Sequence, residues 1–402
     1  MAPGLVDTGK AEPLTTDISL QPSAASESWL GVLRPVPTDE IFTLLGEYLE
    51  DPDSSKVNLS VGVYRTDDAK PWVLSSVDKA EDQLVQERSQ ARHEYLPIAG
   101  DQQFLQLARD LALGFNKTTS EQDKGRTVSV QTISGSGANH VAAAFLTRYL
   151  KPKNIWISNP TWGNHHAIWD FAGPNVQQRF YPYYDNETRS LDFDGMVETL
   201  EEQAEHGDAI LLQACAHNPT GLDLTKAQWK VIADLCERRG IFPLFDMAYQ
   251  GFASGSISED SWAIRYFFEE KPKLDMFICQ SFSKNFGLYG QRVGALHFVL
   301  SDPTPQSKAA VFTHLCNIIR GEYSMAPSGG AAIVKKILAN EELTAMWHGD
   351  LDVMSSRIKT SRQLLYDELV KLDTPGTWEH IVNQVSKTSL VVFLLAKSEM
   401  ES

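Results

Sequence analysis

The chain has 402 residues, of which 42% are hydrophobic and 22% are charged, a composition typical of a soluble globular protein with one large and one smaller domain. Its 36 basic and 52 acidic side chains give a formal net charge of −16, which disfavours nucleic acid or an anionic membrane as a partner. The four cysteines have no CxxC spacing, so we expect neither a zinc site nor a redox pair, and reduced thiols favour a cytoplasmic location.

The segment 1–28 has four acids, one lysine and no arginine, unlike a mitochondrial presequence or a signal peptide. We expect it to be an N-terminal arm. No apolar run along the chain approaches the ~18 residues that a membrane helix needs.

From about Arg126 onward, β-rich runs alternate with helical patterns. The predicted strands are 126–133, 154–158, 209–216, 241–246, 275–281 and 292–300. Glycine-bearing turns and helical patterns follow the first three, over 134–150, 159–173 and 217–240. In the last of these Thr225 and Gln228 form a capping box, and Gly240 ends the helix. This alternation predicts βαβ units and a mostly parallel sheet with helices on both faces.

Polar residues follow the predicted strands at their carboxyl ends, where such folds bind ligands. The SGSG run from Ser134 to Gly137 opens a helix and is either an ordinary turn or a phosphate site at the positive helix end. Asp246 is either a helix cap or a functional carboxylate, and Asn218 is a common turn residue before proline. Lys284 lies between two polar residues and by itself resembles a solvated surface charge.

Aromatic residues and histidines follow the second predicted strand. Trp162 is either a packing aromatic or a ring that stacks on a ligand, and we favour satisfied histidines over a metal site for His165 and His166. Together with Lys284, these residues at the strand ends predict a ligand that has a phosphate, an aromatic ring and an electrophilic carbon. Pyridoxal 5′-phosphate has all three of these groups. It also needs a Schiff-base lysine and an acidic partner for its ring nitrogen, which the protein must supply.

Ordered motifs make the resemblance specific. They are VNLSVGVYRTDDAKPWVL, SGSGANH, NPTWGNHHAIW, ACAHNPTG, FDMAYQGFASG and SFSKNFGLYGQRVGAL. In this order, and over roughly Trp29 to Gln384, the chain resembles the aspartate aminotransferases of the fold-type I, class I aminotransferase group. The resemblance implies a large α/β domain with a mostly parallel central sheet flanked by helices, plus a smaller α+β domain.

The resemblance also implies the residue roles. Lys284 would bind the cofactor as a Schiff base and shuttle the proton, and Asp246 would keep the ring nitrogen protonated, with His165 behind it. Tyr249 and Asn218 would bond the ring oxygen, and Trp162 would stack on the ring. The phosphate would be held by Ser134, Gly135, Ser136, Ser281 and Arg292, together with Tyr95 of the second subunit of a homodimer.

For the substrate, the resemblance implies that Gly62 and Tyr64 close over a dicarboxylic amino acid or 2-oxo acid, which Trp162 and Asn218 also contact. Arg320 would bind the distal carboxylate of the substrate across the subunit interface. Met325 and Ala326 stand where an asparagine and a proline are usual, which is a departure from the family. The implied domains are 29–70 and 353–402 for the small domain and 71–352 for the large cofactor-binding one.

The end of the chain also departs from the family, because the family continues after Gln384 with an arginine that binds the substrate α-carboxylate. No arginine follows Arg362 here. One interpretation is an unspliced intron that is read from Val385. Transamination of L-aspartate with 2-oxoglutarate is the function expected. Two alternatives stay open: a non-catalytic or strongly impaired cofactor-binding subunit, and a lysine Schiff-base lyase without cofactor.

Overall fold

Seven strands form one central sheet in the computed structural model, which describes residues 33–36, 40–58, 62–87 and 93–384. Together with a separate two-stranded hairpin, the strands in chain order are β1 (Thr127–Ile133), β2 (Asn154–Asn159), β3 (Gln177–Pro182), β4 (Tyr184–Asp185), β5 (Ser190–Leu191), β6 (Ala209–Gln213), β7 (Phe242–Met247), β8 (Met276–Ser281) and β9 (Val293–Val299). The sheet order is β1-β9-β8-β7-β6-β2-β3, and β4 and β5 form a separate short hairpin.

Strand direction places most carboxyl ends at one edge of the sheet. Pairs β8–β7, β7–β6, β6–β2 and β2–β3 are parallel, whereas β9 is antiparallel to both of its neighbours, β1 and β8. Strands β6, β8 and β9 are buried at every residue, as expected where helices cover both faces. The expected α/β fold with a mostly parallel central sheet is confirmed.

Helices flank the sheet and connect its strands. They are α1 (Glu40–Glu50), α2 (Ser75–Gln86), α3 (Gln102–Leu113), α4 (Glu121–Lys124), α5 (Ser134–Phe145), α6 (Asn164–Ala172), α7 (Phe193–Gln203), α8 (Lys226–Arg239), α9 (Ile257–Asp260), α10 (Trp262–Glu270), α11 (Pro305–Glu322), α12 (Ser328–Leu338), α13 (Glu341–Lys371) and α14 (Glu379–Asn383). The predicted capping box of Thr225 and Gln228 is present on α8, and Gly240 ends that helix at φ 67°. Over the described ranges, no helix is both long and apolar enough to cross a membrane.

The chain divides into two compact units, residues 1–61 and 62–402. The second unit contains the whole sheet and every predicted site residue, from Gly62 to Arg320. The domain boundaries predicted at 28, 70 and 352 stay predictions. Residues 1–28 and the segment after Gln384 lie outside the described residues.

Candidate active site

Three serine hydroxyls from two strand ends meet where α5 begins. The Oγ of Ser134, which opens the helix directly after β1, lies 2.8 Å from the Oγ of Ser283 and 3.4 Å from that of Ser281. The backbone N–H of Ser283 donates to the Ser281 Oγ at 3.3 Å. Ser134, Ser281 and Ser283 are all buried, so this polar cluster is enclosed by protein. The first turn of α5 also contains Ser136, which is partly exposed.

The backbone packs closely around these hydroxyls. A Cβ on Gly135 would lie 2.9 Å from the Ser281 Cβ, and one on Gly294 would lie 2.5 Å from the carbonyl carbon of Ser134. Glycine at these two positions therefore lets strands β8 and β9 approach the helix N-terminus. Unpaired N–H groups and the positive end of the helix dipole favour an anion at this point.

Arg292 adds a full positive charge to the same edge of the sheet. It directly precedes β9, has a left-handed backbone at φ 53°, and its Nη1 donates to the carbonyl oxygen of Tyr289 at 3.1 Å. Its side chain lies close enough to Lys284 for its charge to lower the pKa of that amine. A guanidinium beside buried hydroxyls and a helix N-terminus suits a phosphate group.

Asp246 ends a chain of three hydrogen-bonded side chains. His165 Nε2 lies 2.9 Å from Asp246 Oδ2, and His165 Nδ1 lies 2.8 Å from the Oγ1 of Thr161. A carboxylate can only accept, so His165 donates from Nε2, and its Nδ1 is hydrogen-bonded to the threonine hydroxyl. His165 is fully buried and Asp246 is 9% exposed. Asp246 lies inside strand β7 and directs one oxygen toward His165, so it does not cap a helix. Its role as a functional carboxylate stays a prediction.

Lys284 lies on the turn after β8, close to the charges of Asp246 and Arg292. Burial lowers the pKa of its amine, the carboxylate of Asp246 opposes that change, and Arg292 reinforces it. The Nζ lies 5.3 Å from the ring centre of Tyr249, which is itself buried. Among the residues that the structure describes, none hydrogen-bonds this Nζ. A buried amine with a lowered pKa is more often neutral and hence a nucleophile and a base.

Asn218 and Trp162 follow the neighbouring strands β6 and β2. The backbone N–H of Asn218 donates to Gln213 Oε1 at 2.8 Å, and Gln213 Nε2 donates to the Asn218 carbonyl at 3.0 Å. Gln213 is paired in register with Asp246, so this turn lies beside that carboxylate. Trp162 packs edge-on against His165, with ring centres 5.1 Å apart.

Gly62 and Tyr64 lie on the segment that begins the second unit. The backbone N–H of Tyr64 donates to the hydroxyl of Tyr289 at 2.9 Å, and the guanidinium of Arg357 lies 5.2 Å from the Tyr64 ring centre. Tyr64 is buried, whereas Gly62 is exposed. Through Tyr289, this segment is connected to the carbonyl that Arg292 contacts.

Tyr95 and Arg320 are not brought into this cluster. Tyr95 is 83% exposed, and Arg320 lies on the exposed side of α11, where its Nη1 donates to the Oγ of Ser324. Within the described part of the chain, no contact joins either residue to Lys284. Their predicted roles both involve a second subunit, so a single chain does not test them.

Sequence reasoning missed three polar residues of this region. Ser283 lies inside the motif SFSKNFGLYGQRVGAL, where a hydroxyl directly before Lys284 could have indicated a site residue. For Thr161 and His217 the sequence offered only their position in the proline-bearing turns NPTWG and HNPTG, which does not distinguish a site residue from a turn residue. His217 is buried, with Nε2 2.8 Å from the Ser158 Oγ and its ring stacked on Tyr183. Burial is the main cause that lowers the pKa of His217 to about 3, so the ring is neutral.

The residues present fit pyridoxal phosphate. Buried hydroxyls, a helix N-terminus and Arg292 suit the phosphate, Asp246 suits a protonated ring nitrogen, and the Nζ of Lys284 suits the carbonyl carbon. Among the described residues, no group of three histidine, cysteine or acidic side chains is placed to hold a metal ion.

Comparison with known proteins identifies the family. The model of the class I and II aminotransferases matches residues 54–401. The chain belongs to this family. An L-tyrosine:2-oxoglutarate aminotransferase of Aspergillus ustus is 51% identical over 367 residues, which cover 90% of this chain and 70% of that protein.

Solved aminotransferase structures share the fold. The aspartate aminotransferase from the cytoplasm of Saccharomyces cerevisiae has a TM-score of 0.85 at 42% identity, covering 90% of this chain and 87% of that one. An aromatic-amino-acid aminotransferase of Burkholderia pseudomallei, covalently bound to pyridoxal phosphate, has a TM-score of 0.83 at 37% identity, covering 89% and 86%.

Proposed function

We propose that the protein is a pyridoxal-phosphate-dependent aspartate aminotransferase, which converts L-aspartate and 2-oxoglutarate to oxaloacetate and L-glutamate in two half-reactions. The observation that carries this proposal is the buried Lys284, whose amine pKa is lowered by burial while Asp246 and Arg292 lie close to it. A surface lysine would have neither the lowered pKa nor the two opposite charges beside it. The cofactor-free lyase hypothesis gives no reason for this arrangement.

When bound, the cofactor supplies a ring that accepts electrons from the substrate Cα. Lys284 would hold the cofactor covalently through Nζ. The cofactor phosphate would be bound by Ser134, Ser136, Ser281, the amide of Gly135 and Arg292. Asp246, oriented by His165, would keep a proton on the ring nitrogen. Tyr249 and Asn218 would donate to the ring oxygen, and Trp162 would pack against the ring face.

Lys284 would also move the proton in each half-reaction. As a neutral amine, the Nζ of Lys284 would take the proton from the substrate Cα, hold it, and donate it again to complete the half-reaction. A general base works best when its pKa lies near the operating pH, and burial moves this amine in that direction. Enclosure by protein also excludes water, which would otherwise compete for the proton.

The partners proposed for this site are dicarboxylic amino acids and 2-oxo acids, together with a second copy of the chain. Gly62 and Tyr64 would cover the substrate, and Arg320 would bind the distal carboxylate in the site of the partner subunit. The exposure of Tyr95 and Arg320 supports a homodimer in which both reach a second site. We propose a cytoplasmic location from the named source of the Saccharomyces cerevisiae relative.

A half-reaction with a single substrate tests the proposal. Purified protein loaded with pyridoxal phosphate should show visible absorption. L-Aspartate should replace this absorption by that of the pyridoxamine form, and 2-oxoglutarate should restore it. Visible absorption that no amino acid changes would support the non-catalytic alternative. Turnover of a carbonyl substrate without any bound cofactor would support the lyase.

A second candidate function is transamination of aromatic amino acids. It is favoured by the name of the 51% identical relative and by the loop that follows Arg320. Met325, which replaces the usual asparagine, places its sulfur 3.2 Å from the backbone N–H of Leu96, next to Tyr95. In the proposed homodimer, where this loop would reach the site of the partner subunit, an apolar side chain would offer an aromatic substrate a better surface than an amide does. The ratio of kcat/KM for L-tyrosine and L-aspartate, measured in the wild type and in Met325→Asn, decides between the two donors.

A further inference from the structure

The turn that leads from β6 to Asn218 has an unusual backbone. Cys215 and Ala216 have φ angles of 71° and 51°, so two successive residues with side chains lie in the left-handed region. This region favours glycine, because a Cβ there approaches the following carbonyl oxygen. Two such residues in a row require interactions from outside the turn.

Asp223 supplies those interactions with both oxygens of its carboxylate. Its Oδ2 accepts from the backbone N–H of Ala216 at 2.7 Å, and its Oδ1 accepts from that of His217 at 3.0 Å. Burial raises the pKa of the Asp223 carboxyl, and these two amides oppose the rise. The carboxylate therefore bonds the left-handed turn at two successive amides.

The side chain of His217, the residue that directly precedes Asn218, is also fixed. His217 bonds Ser158 through Nε2 and Thr220 through Nδ1, at 2.8 and 2.9 Å. The imidazole ring of His217 is therefore held by contacts other than Asp223. The described contacts of Asp223 with this turn are to backbone N–H groups. A change at Asp223 should thus alter the turn without removing a side chain that faces the ligand.

We propose that Asp223 is a positioning residue, which holds Cys215 and Ala216 in the left-handed conformation and thereby places Asn218 at the cofactor. This inference rests on the proposed function, in which Asn218 donates to the ring oxygen. Asp223 itself touches neither substrate nor cofactor in this scheme. Its loss should therefore be relieved by any change that lets the turn adopt the same backbone unaided.

The first experiment needs no cofactor. In Asp223→Asn, one oxygen is replaced by an NH₂ donor, which cannot accept from a backbone N–H. Amide hydrogen exchange of residues 214–218 in the cofactor-free protein should become at least tenfold faster. Adding Ala216→Gly, which removes the Cβ from a left-handed position, should bring the exchange of the Ala214 and Asn218 amides, whose acceptors are Asp246 and Gln213, back to within threefold of the wild type.

Asp208 provides a matched control, because its carboxylate also accepts two backbone amides. Asn154 N–H donates to Oδ1 at 3.1 Å and Glu205 N–H to Oδ2 at 3.0 Å, at the amino end of β6 and away from the site. Asp208→Asn should lower the melting temperature without accelerating exchange at 214–218. Unchanged exchange at 214–218 in Asp223→Asn would overturn the proposal, whether or not the protein binds cofactor.

The second experiment follows the visible absorption of the lysine-bound cofactor against pH. A donor to the ring oxygen stabilises its negative charge, so a displaced Asn218 should raise the pKa of the bound chromophore by about one unit, a tenfold change in the protonation equilibrium. Asp223→Asn should show this rise, Ala216→Gly should reverse it, and Asp208→Asn should not show it. Faster exchange with an unmoved chromophore pKa would refute the link to Asn218; a wild type without visible absorption would refute the proposed function alone.

Discussion

Replacing Asp246 by asparagine separates the charge of this residue from its shape. Asparagine keeps the size of the side chain, and its Oδ1 can still accept from His165 Nε2, which lies 2.9 Å from the carboxylate. The fold should therefore persist. The remaining group is an NH₂ donor, which cannot accept a proton from the cofactor ring nitrogen.

The expected loss follows from the burial of this group. A hydrogen bond to a charged partner contributes about 1.5–3 kcal/mol, and Asp246 is only 9% exposed, so water cannot replace it. At about 1.4 kcal/mol per tenfold change, this corresponds to a roughly 10- to 150-fold lower rate of the half-reaction with L-aspartate. The loss should appear in kcat, because the protonated ring matters most when negative charge develops on the substrate.

The assay is a stopped-flow half-reaction that follows the cofactor absorption. Asp350→Asn is a suitable control, because Asp350 is also buried but accepts from Ser75 Oγ and Ser76 N–H at 2.8 and 2.9 Å, at the start of α2. This control should lose about 1–3 kcal/mol of stability and keep its half-reaction rate within twofold. A half-reaction rate for Asp246→Asn within threefold of the wild type would refute the assigned role.

Three further predictions concern the lysine, the phosphate site and one buried histidine. Lys284→Ala should abolish the absorption band of the lysine-bound cofactor while some cofactor stays bound through its phosphate. Borohydride reduction of the wild type followed by peptide mapping should label this lysine, and a label elsewhere would contradict the assignment. Gly135→Ala should weaken cofactor binding about tenfold in equilibrium dialysis, because its Cβ would meet Ser281 at 2.9 Å, whereas Gly349→Ala, with open space around it, should leave binding unchanged. His297 has its pKa lowered by burial to about 3, so the free energy of unfolding should fall by about 1.4 kcal/mol per pH unit from this residue as the pH drops from about 6.5 toward 3. Urea titrations should show that His297→Gln reduces this slope; an equal slope would mean that the ring is not neutral in the fold.

Most of the sheet could be predicted from the sequence, because its buried strands are short runs of β-branched and aromatic residues between turn signals. All six predicted strands are present. Strand β3 was missed because QQRFYP is an edge strand with a polar start and mixed burial, and the two-residue strands β4 and β5 carry no periodicity. The capping box at Thr225 is local chemistry, which is why it could be predicted to the residue.

The contacts of the site could not be predicted from periodicity or spacing. Asp246 and His165 are 81 positions apart, and Ser134 and Ser283 are 149 apart. Such pairs depend on which strands are neighbours in the sheet, and local patterns do not contain that order. The resemblance supplied the pairing of His165 with Asp246, whereas the contact of Ser283 required coordinates.

The reversed direction of strand β9 in the central sheet explains how an arginine joins the serines. Strand β9 lies between β1 and β8 and runs in the opposite direction, so its first residues meet the last residues of both neighbours. Gly294 is accordingly paired with Thr132 on one side and Ser281 on the other. Arg292, two positions earlier, therefore leaves the sheet at the edge where Ser134 begins α5. A parallel β9 would have placed the same arginine at the opposite edge, so the reversal of this one strand is what brings a cation to the phosphate site.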